Sequence, residues 1–217
     1  MRLFRSPLLG LALLSALPTI GSAQAGRNFK DSWFWGAKTG VMMYSTKAVE
    51  NAISPSVGGE WLITRTRGAL YVSYDQTFFN NESAIPDILN TNGIRIVNMD
   101  DMRRVTFAAL AFPKEYVGFR PYGGVGVALN FIQTATPLGS FVSASQANDI
   151  AATVEDQRTR ASVLVMLGLQ AQYSRWSLFG QATMMPAHAQ FLINGRSTYF
   201  VEGGLRYNIG SSIERIH

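Results

Sequence analysis

The chain has 217 residues, of which 47% are hydrophobic and only 15% are charged, whereas about 25% charged residues is usual for a soluble protein. It contains no cysteine, which excludes disulfides and thiolate-ligated metals. The formal net charge is +5, but the basic residues are scattered along the chain, and this pattern does not favour a nucleic-acid partner. Beyond the N-terminus no run approaches the roughly 18 apolar residues of a transmembrane helix.

The first 25 residues have the three-part plan of a secretory signal peptide. Arg2 and Arg5 form a positive start, residues 8–17 are almost wholly apolar, and residues 23–25 place small side chains where a signal peptidase reads. A short membrane anchor is disfavoured because the apolar core is brief and Pro18 ends it. We therefore predict cleavage after Ala25 and a mature domain of residues 26–217.

From Trp33 onward the dominant hydrophobic period is two, as in strands whose two faces meet different surroundings. A helix would place such alternating apolar residues on opposite sides. The pattern is clearest in residues 160–173, where Val163, Val165, Leu167 and Leu169 share one face. The predicted strands are residues 33–46, 52–64, 68–79, 102–112, 119–135, 158–174, 175–187 and 196–209.

Two kinds of connection alternate between these strands. Residues 65–67, 113–118 and 174–175 form tight turns, whereas residues 80–101 and 136–157 are predicted to be long polar loops, with shorter loops at 47–51 and around 191–195. Tight turns on one side and longer loops on the other are typical of outer-membrane barrels. The sequence therefore predicts an all-β fold, an eight-stranded antiparallel up-and-down transmembrane β-barrel.

The polar face of the strands combines glycines with charged residues, as expected for a narrow lumen in which small residues make room for long ones. An eight-stranded barrel is just wide enough for side chains to fill its interior, and buried charges persist when they are paired. We therefore predict a polar lumen network of Lys38, Glu60, Asp75, Arg104, Gln170, Glu202 and Arg206. Such a network would block an open pore.

Aromatic residues lie near the ends of the predicted strands and indicate the aromatic girdles of a membrane barrel. A soluble ligand-binding barrel with these rings in its core is the alternative. The aromatic residues concerned are Trp33, Phe34, Trp35, Phe78, Phe79, Tyr116, Phe119, Trp176, Tyr199 and Tyr207.

Residues 203–209, Gly-Gly-Leu-Arg-Tyr-Asn-Ile, resemble the closing strand that the barrel-assembly machinery recognises. Over residues 33–209 the chain resembles the small eight-stranded outer-membrane β-barrel proteins of Gram-negative-type bacteria. It departs from that family at Ile209, which stands where the family usually ends on an aromatic residue, and in the tail 210–217 that follows. The resemblance implies a location in the bacterial outer membrane, contact with its lipid and lipopolysaccharide, and insertion by the barrel-assembly machinery.

We expect a monomer with no cofactor, metal site or nucleic-acid partner, and a structural or surface-binding role in the cell envelope. The alternatives are a narrow channel or hydrophobic-solute conduit, a soluble periplasmic ligand-binding barrel, and a lipid-modifying enzyme that uses His188. Ser197 and Glu202 are the nearest possible partners of His188 in the sequence. Because no spacing signature supports that combination, we expect no enzymatic activity.

Overall fold

A computed structural model of the protein describes residues 29–114, 116 and 118–211. The predicted signal peptide lies outside the described residues, as does most of the C-terminal tail.

Eight antiparallel strands form a closed barrel in which each strand pairs with its neighbours in the sequence and β1 pairs with β8. The predicted all-β, eight-stranded antiparallel architecture is confirmed. One helix, α1, precedes β6. The bounds are β1 Ser32–Tyr44, β2 Ala52–Thr64, β3 Gly68–Pro86, β4 Ile94–Ala111, β5 Phe119–Pro137, α1 Ala144–Gln157, β6 Thr159–Tyr173, β7 Trp176–Met185 and β8 Thr198–Ser211.

The period-two pattern places apolar side chains on the outside of the barrel. In β6, Val163 and Leu167 are 63% and 65% exposed, whereas Leu164 and Gln170, on the other face, are buried. The other strands alternate in the same way. An outward apolar face and a polar interior suit a barrel surrounded by hydrocarbon.

No helix among residues 29–114, 116 and 118–211 is both long enough and apolar enough to span a membrane.

The prediction of a long loop at residues 80–101 was wrong. β3 continues to Pro86 and β4 begins at Ile94, so only residues 87–93 connect them. The register shifts where Phe78 and Phe79 lie opposite the single residue Asp101, whose φ is 52° and whose Oδ1 accepts a hydrogen bond from the Phe79 amide at 3.2 Å. The bulge changes the phase of β4, whose buried residues are Val97 and Met99 before it and Met102 and Arg104 after it, which is why the sequence pattern began this strand only at Met102. The pattern ended β3 at Phe79 because the outward residues become polar at Asn80.

The predicted loop at residues 136–157 contains α1. Ser143 caps the helix, because its side chain accepts a hydrogen bond from the Gln146 amide at 3.2 Å. Ile150 and Val154, four positions apart, form the buried stripe. Only these two large apolar residues mark the buried face, which is why the prediction missed the helix.

Several of the aromatic residues predicted for the girdles face outward, but the prediction was wrong for Phe34 and Phe79. Trp35 and Trp176 are about half exposed at one end of the barrel, and Phe78 is exposed towards the loops. Phe34 and Phe79 are buried inside the barrel, because strand alternation turns each of them away from the exposed ring beside it.

Candidate functional site

Four of the predicted lumen residues form a closed cycle of ion pairs across the middle of the barrel. Lys38 Nζ lies 2.8 Å from Asp75 Oδ1 and 3.1 Å from Glu202 Oε2. Arg104 Nη2 lies 2.9 Å from Asp75 Oδ2 and 2.9 Å from Glu202 Oε1. Each cation therefore contacts both carboxylates, and strands β1, β3, β4 and β8 are joined through their side chains.

The other three predicted residues form a second cluster around Arg206. Arg206 donates from Nε to Glu60, and its Nη1 donates to Gln170 Oε1 at 2.7 Å. Its Nη2 also lies 3.4 Å from the Tyr122 hydroxyl. Arg206 and Glu60 are both buried.

Three neutral residues, Tyr71, Tyr122 and Gln181, join the two clusters. The Tyr122 hydroxyl donates to Gln181 Oε1 at 3.0 Å, and Gln181 Nε2 donates to Glu202 at 3.0 Å and to the Tyr71 hydroxyl at 3.1 Å. The sequence reasoning missed these three residues because it selected lumen residues mainly by charge. The alternation of β3, β5 and β7 would have placed all three on the inner face.

The structure thus brings all seven predicted lumen residues into one hydrogen-bonded network. Within the described residues the network contains three cations and three carboxylates, so its formal charges balance. Aromatic faces complete the surroundings of the two arginines. The guanidinium carbon of Arg104 lies 3.5 Å from the ring centroid of Phe200, and that of Arg206 lies 3.8 Å from that of Phe179.

Lumen glycines provide the space that these long side chains occupy. A Cβ added at Gly36 would come within about 3 Å of Glu60 and Arg206. A Cβ added at Gly58 would collide with the carboxylate of Asp75 and the carbonyl oxygen of Tyr74. Glycine at these two inward positions is therefore required by packing.

Buried apolar residues lie at both ends of the lumen network. Phe29, Phe34 and Phe112 pack together at the tight-turn end, where the Phe29 and Phe112 centroids are 4.7 Å apart. Met42, Met99 and Ile132 are buried towards the loop end. The lumen network is therefore bordered by buried apolar residues at each end of the described barrel.

The segment 191–194 covers the loop-side mouth. Phe191, Leu192, Ile193 and Asn194 are all buried, although the sequence reasoning treated this region as a short loop. The Ser83 hydroxyl donates to the Leu192 carbonyl at 2.6 Å, and the Leu192 amide donates to the Gln157 carbonyl at 3.2 Å. These bonds hold the segment between β3 and the end of α1.

Beyond the mouth, a buried polar cluster connects the β3–β4 hairpin to the chain that leads into α1. Asp87 accepts hydrogen bonds from Arg95 Nε at 2.7 Å and from Gln146 Nε2 at 3.0 and 3.1 Å. Arg95 also donates to the carbonyls of Leu138 and Ser140 at 2.8 and 3.2 Å. The hydrogen bond from Gln146, followed by those from Arg95 and the Leu89 amide, lowers the pKa of the Asp87 carboxyl below its ordinary value of 3.8.

This cluster supports large apolar side chains that face solvent. The Asp87 carboxylate accepts from the Leu89 amide at 3.2 Å, and Gln146 Oε1 accepts from the Val142 amide at 2.8 Å. The Asp87–Gln146 hydrogen bonds therefore connect the backbone at Leu89 to the backbone at Val142. The side chains of Leu89 and Val142 are 63% and 83% exposed, and that of the neighbouring Ile88 is 94% exposed. We call Ile88, Leu89, Phe141 and Val142 the apolar tip.

His188 does not join the side chains proposed for an enzyme. Its Nε2 accepts from Arg160 Nη2 at 2.7 Å, whereas Glu202 contacts Lys38 and Arg104 inside the barrel. The geometry around His188 in the described part of the chain is that of a hydrogen-bonded rim residue. Residues 29–114, 116 and 118–211 also contain no group of three or more His, Asp or Glu side chains that could hold a metal ion.

A solved structure of a small outer-membrane barrel has the same fold as this chain. Neisserial surface protein A is 12% identical and superposes with a TM-score of 0.55, over 82% of this chain and 97% of its own. The N-terminal β-barrel domain of Pseudomonas aeruginosa OprF is 12% identical (TM-score 0.49, 83% of this chain and 98% of its own). Ail, the attachment invasion locus protein of Yersinia pestis, is 11% identical (TM-score 0.41, 81% and 97%).

No protein-family model and no curated protein matches this chain. Its fold is that of the small eight-stranded outer-membrane β-barrels, as the sequence predicted.

Proposed function

We propose that the protein is an outer-membrane barrel with a closed lumen, and that its apolar tip binds a partner protein at the cell surface. The observation that carries the surface role is the set of exposed apolar side chains, held in place by the buried Asp87–Arg95–Gln146 cluster.

The outer face of the barrel supports a membrane location. Outward residues of β3 are predominantly apolar from Leu70 to Phe78 and become polar at Asn80 and Glu82. From Phe78, β3 continues to Pro86, which at about 3.3 Å per residue is roughly 25 Å of further strand. The apolar tip would therefore stand clear of the hydrocarbon, on the water side of the loop end.

The filled interior argues against the channel alternative. Ions or solutes crossing the barrel would have to pass buried apolar residues and a network of paired charges. Opening a path would require separating ion pairs that have no access to water, which is costly.

The exposed tip argues for a protein partner. Exposed clusters of large apolar side chains on water-facing surfaces commonly mark protein–protein interaction sites. Here the backbone around the tip is ordered by hydrogen bonds, so little ordering entropy would be lost when the partner binds.

Location and orientation can be tested with single cysteines, because the natural chain has none. We expect the protein to fractionate with the outer membrane and to shift on SDS gels when it is boiled. Ile88→Cys should react with a membrane-impermeant maleimide on intact cells, whereas Thr66→Cys, at the tight-turn end, should react only after the outer membrane is opened. A soluble, unshifted protein would contradict the membrane location, and the reverse labelling would contradict the orientation.

Binding can be tested by placing a photo-crosslinking amino acid at position 88 in living cells. We expect one discrete protein adduct that weakens when Val142→Ser is added, because Ile88 and Val142 belong to the same tip. The matched control is the same crosslinker at Glu155, an exposed residue of α1. Absence of an adduct at position 88, or the same adducts at both positions, would contradict the binding proposal.

A further inference from the structure

A cavity of about 440 Å³ opens on the outer face of the barrel, where β1, β2 and β8 reach the loop end. Its volume is within the range of about 300–1,000 Å³ that is usual for small-molecule sites. The two connections that bound it, residues 45–51 and 186–197, are described throughout.

The floor of the cavity is a row of three large side chains that point out of the barrel. Met43 pairs in register with Ile53 of β2 and with Tyr199 of β8, and all three line the cavity. The next outward pair below them, Val41 with Val201, is apolar and exposed. The floor therefore continues the apolar outer wall of the barrel.

The rim of the cavity on the loop side is polar. Two residues beyond the floor in the direction of the loops stand Ser45, Asn51 and Ser197, and Arg196 lies beside them. The wall thus changes from apolar to polar within a single cavity, as expected where a membrane barrel leaves the hydrocarbon. Tyr199, with its amphipathic ring, lies at this boundary.

Arg196 provides the positive charge of the rim. It is exposed, and it makes no hydrogen bond or ion pair with the described residues. The connection 45–51 also carries Lys47 and Glu50, whose formal charges cancel and neither of which lines the cavity. The described lining contains no acidic residue, so the guanidinium of Arg196 is available to an anion.

Hydrogen bonds hold both walls of the cavity in place. The Gly195 amide donates to the Ser45 carbonyl at 3.0 Å, and a Cβ added at Gly195 would come within 2.7 Å of that carbonyl. The Asn51 amide donates to Ser45 Oγ at 3.1 Å, and the Lys47 amide donates to Asn194 Oδ1 at 3.1 Å. The rim is therefore ordered without a ligand, and little ordering entropy would be lost on binding.

We infer that this cavity binds a phosphorylated glycolipid of the membrane leaflet at the loop end, namely the lipid A part of lipopolysaccharide. The Arg196 guanidinium holds a phosphate, for which its planar fork of donors is suited. An acyl chain lies on the apolar floor, and the side chains of Asn51 and Ser197 form hydrogen bonds with sugar hydroxyls. The choice of this lipid rests on the proposed function, in which the loop end faces the outside of the cell.

The test uses the full mature protein in an uncharged detergent, with purified lipid A as the probe and native mass spectrometry to measure the bound lipid. R196Q removes the rim cation, and the matched control K47Q removes an exposed cation of the neighbouring connection that does not line the cavity. I53S changes the floor, and its control V57S changes an exposed outward residue of the same strand outside the cavity. Lipid A without phosphates and phosphatidylglycerol serve as comparison lipids.

We expect a one-to-one complex with lipid A that weakens about tenfold in R196Q, because a charge-assisted hydrogen bond is lost, and less than about twofold in K47Q. I53S should weaken it several-fold more than V57S does, and lipid A without phosphates should bind wild type and R196Q equally. Equal weakening in R196Q and K47Q, or equal binding of phosphatidylglycerol and lipid A, would overturn the inference. Binding in detergent does not depend on orientation, so a failure of this site is distinguishable from the inverted labelling that would contradict the proposed function.

Discussion

Arg104 on β4 and Glu202 on β8 are joined by an ion pair of 2.9 Å that crosses the barrel from one wall to the opposite one. Three strands lie between β4 and β8 in either direction around the closed barrel. Lys38 pairs with Glu202, Asp75 pairs with Arg104, and Lys38 and Asp75 pair with each other, so these side chains close the bore as well as stabilise the wall.

The first prediction concerns ion conduction. We expect the wild-type protein to produce no stepwise conductance in planar lipid bilayers, because the lumen network and the buried segment 191–194 fill the bore. Insertion should be verified independently by the heat-dependent shift of the reconstituted protein on gels. Regular conductance steps that increase in number with the amount of inserted protein would favour the channel alternative.

The second prediction concerns Arg206. Replacing it with Met leaves the buried carboxylate of Glu60 without its arginine partner, and breaking a buried pair from one side costs about 3–5 kcal/mol. We expect the free energy of unfolding, measured by urea titration in detergent or lipid, to fall by about that amount. R67M, which removes an exposed arginine from the β2–β3 turn, should change it by less than about 0.5 kcal/mol.

The double variant E60M/R206M distinguishes the effect of leaving one buried charge without its partner from the effect of losing the packing of these side chains. Because it removes both charges, we expect it to be more stable than R206M alone. A double variant that is as unstable as the sum of both single variants would mean that the two side chains act independently, against a paired lumen network.

The third prediction uses two neighbouring glycines of β2. Gly58 faces the lumen, where an added Cβ would collide with Asp75 and the backbone of Tyr74, whereas at Gly59 the nearest atom is the Gly36 carbonyl oxygen at 3.8 Å. Asp75 is held by Lys38 and Arg104 and has little freedom to move. G58A should therefore lower the free energy of unfolding by about 1–3 kcal/mol, with G59A close to wild type. Equal effects would show that glycine at position 58 does not serve lumen packing.

The sequence predicted the barrel well because two patterns agreed, the period of two and the alternation of tight turns with longer loops. The lumen residues were predicted from the same period of two. Once one residue such as Asp75 is known to point inward, every second residue of that regular stretch of strand is expected to point inward as well. The loop end was not predictable in this way. The bulge at Asp101 reverses the pattern, and the Asp87–Arg95–Gln146 cluster joins residues whose proximity depends on how the hairpin and α1 meet.

The last prediction concerns the pH dependence of the apolar tip. The pKa of Asp87 is lowered by its hydrogen bonds to Gln146, Arg95 and the Leu89 amide. A carboxyl whose folded pKa is lowered stabilises the structure above its ordinary pKa, and that contribution is lost as the pH falls through the lowered value. We therefore expect hydrogen exchange in residues 87–95 and 138–146 to be slow at about pH 6 and, after correction for intrinsic rates, less protected at a pH well below the ordinary pKa of 3.8. D87N should be poorly protected at both pH values, because it lacks the charge that Arg95 contacts. D149N, on the exposed side of α1, should behave like wild type, and wild-type protection in D87N would mean that Asp87 does not hold the tip.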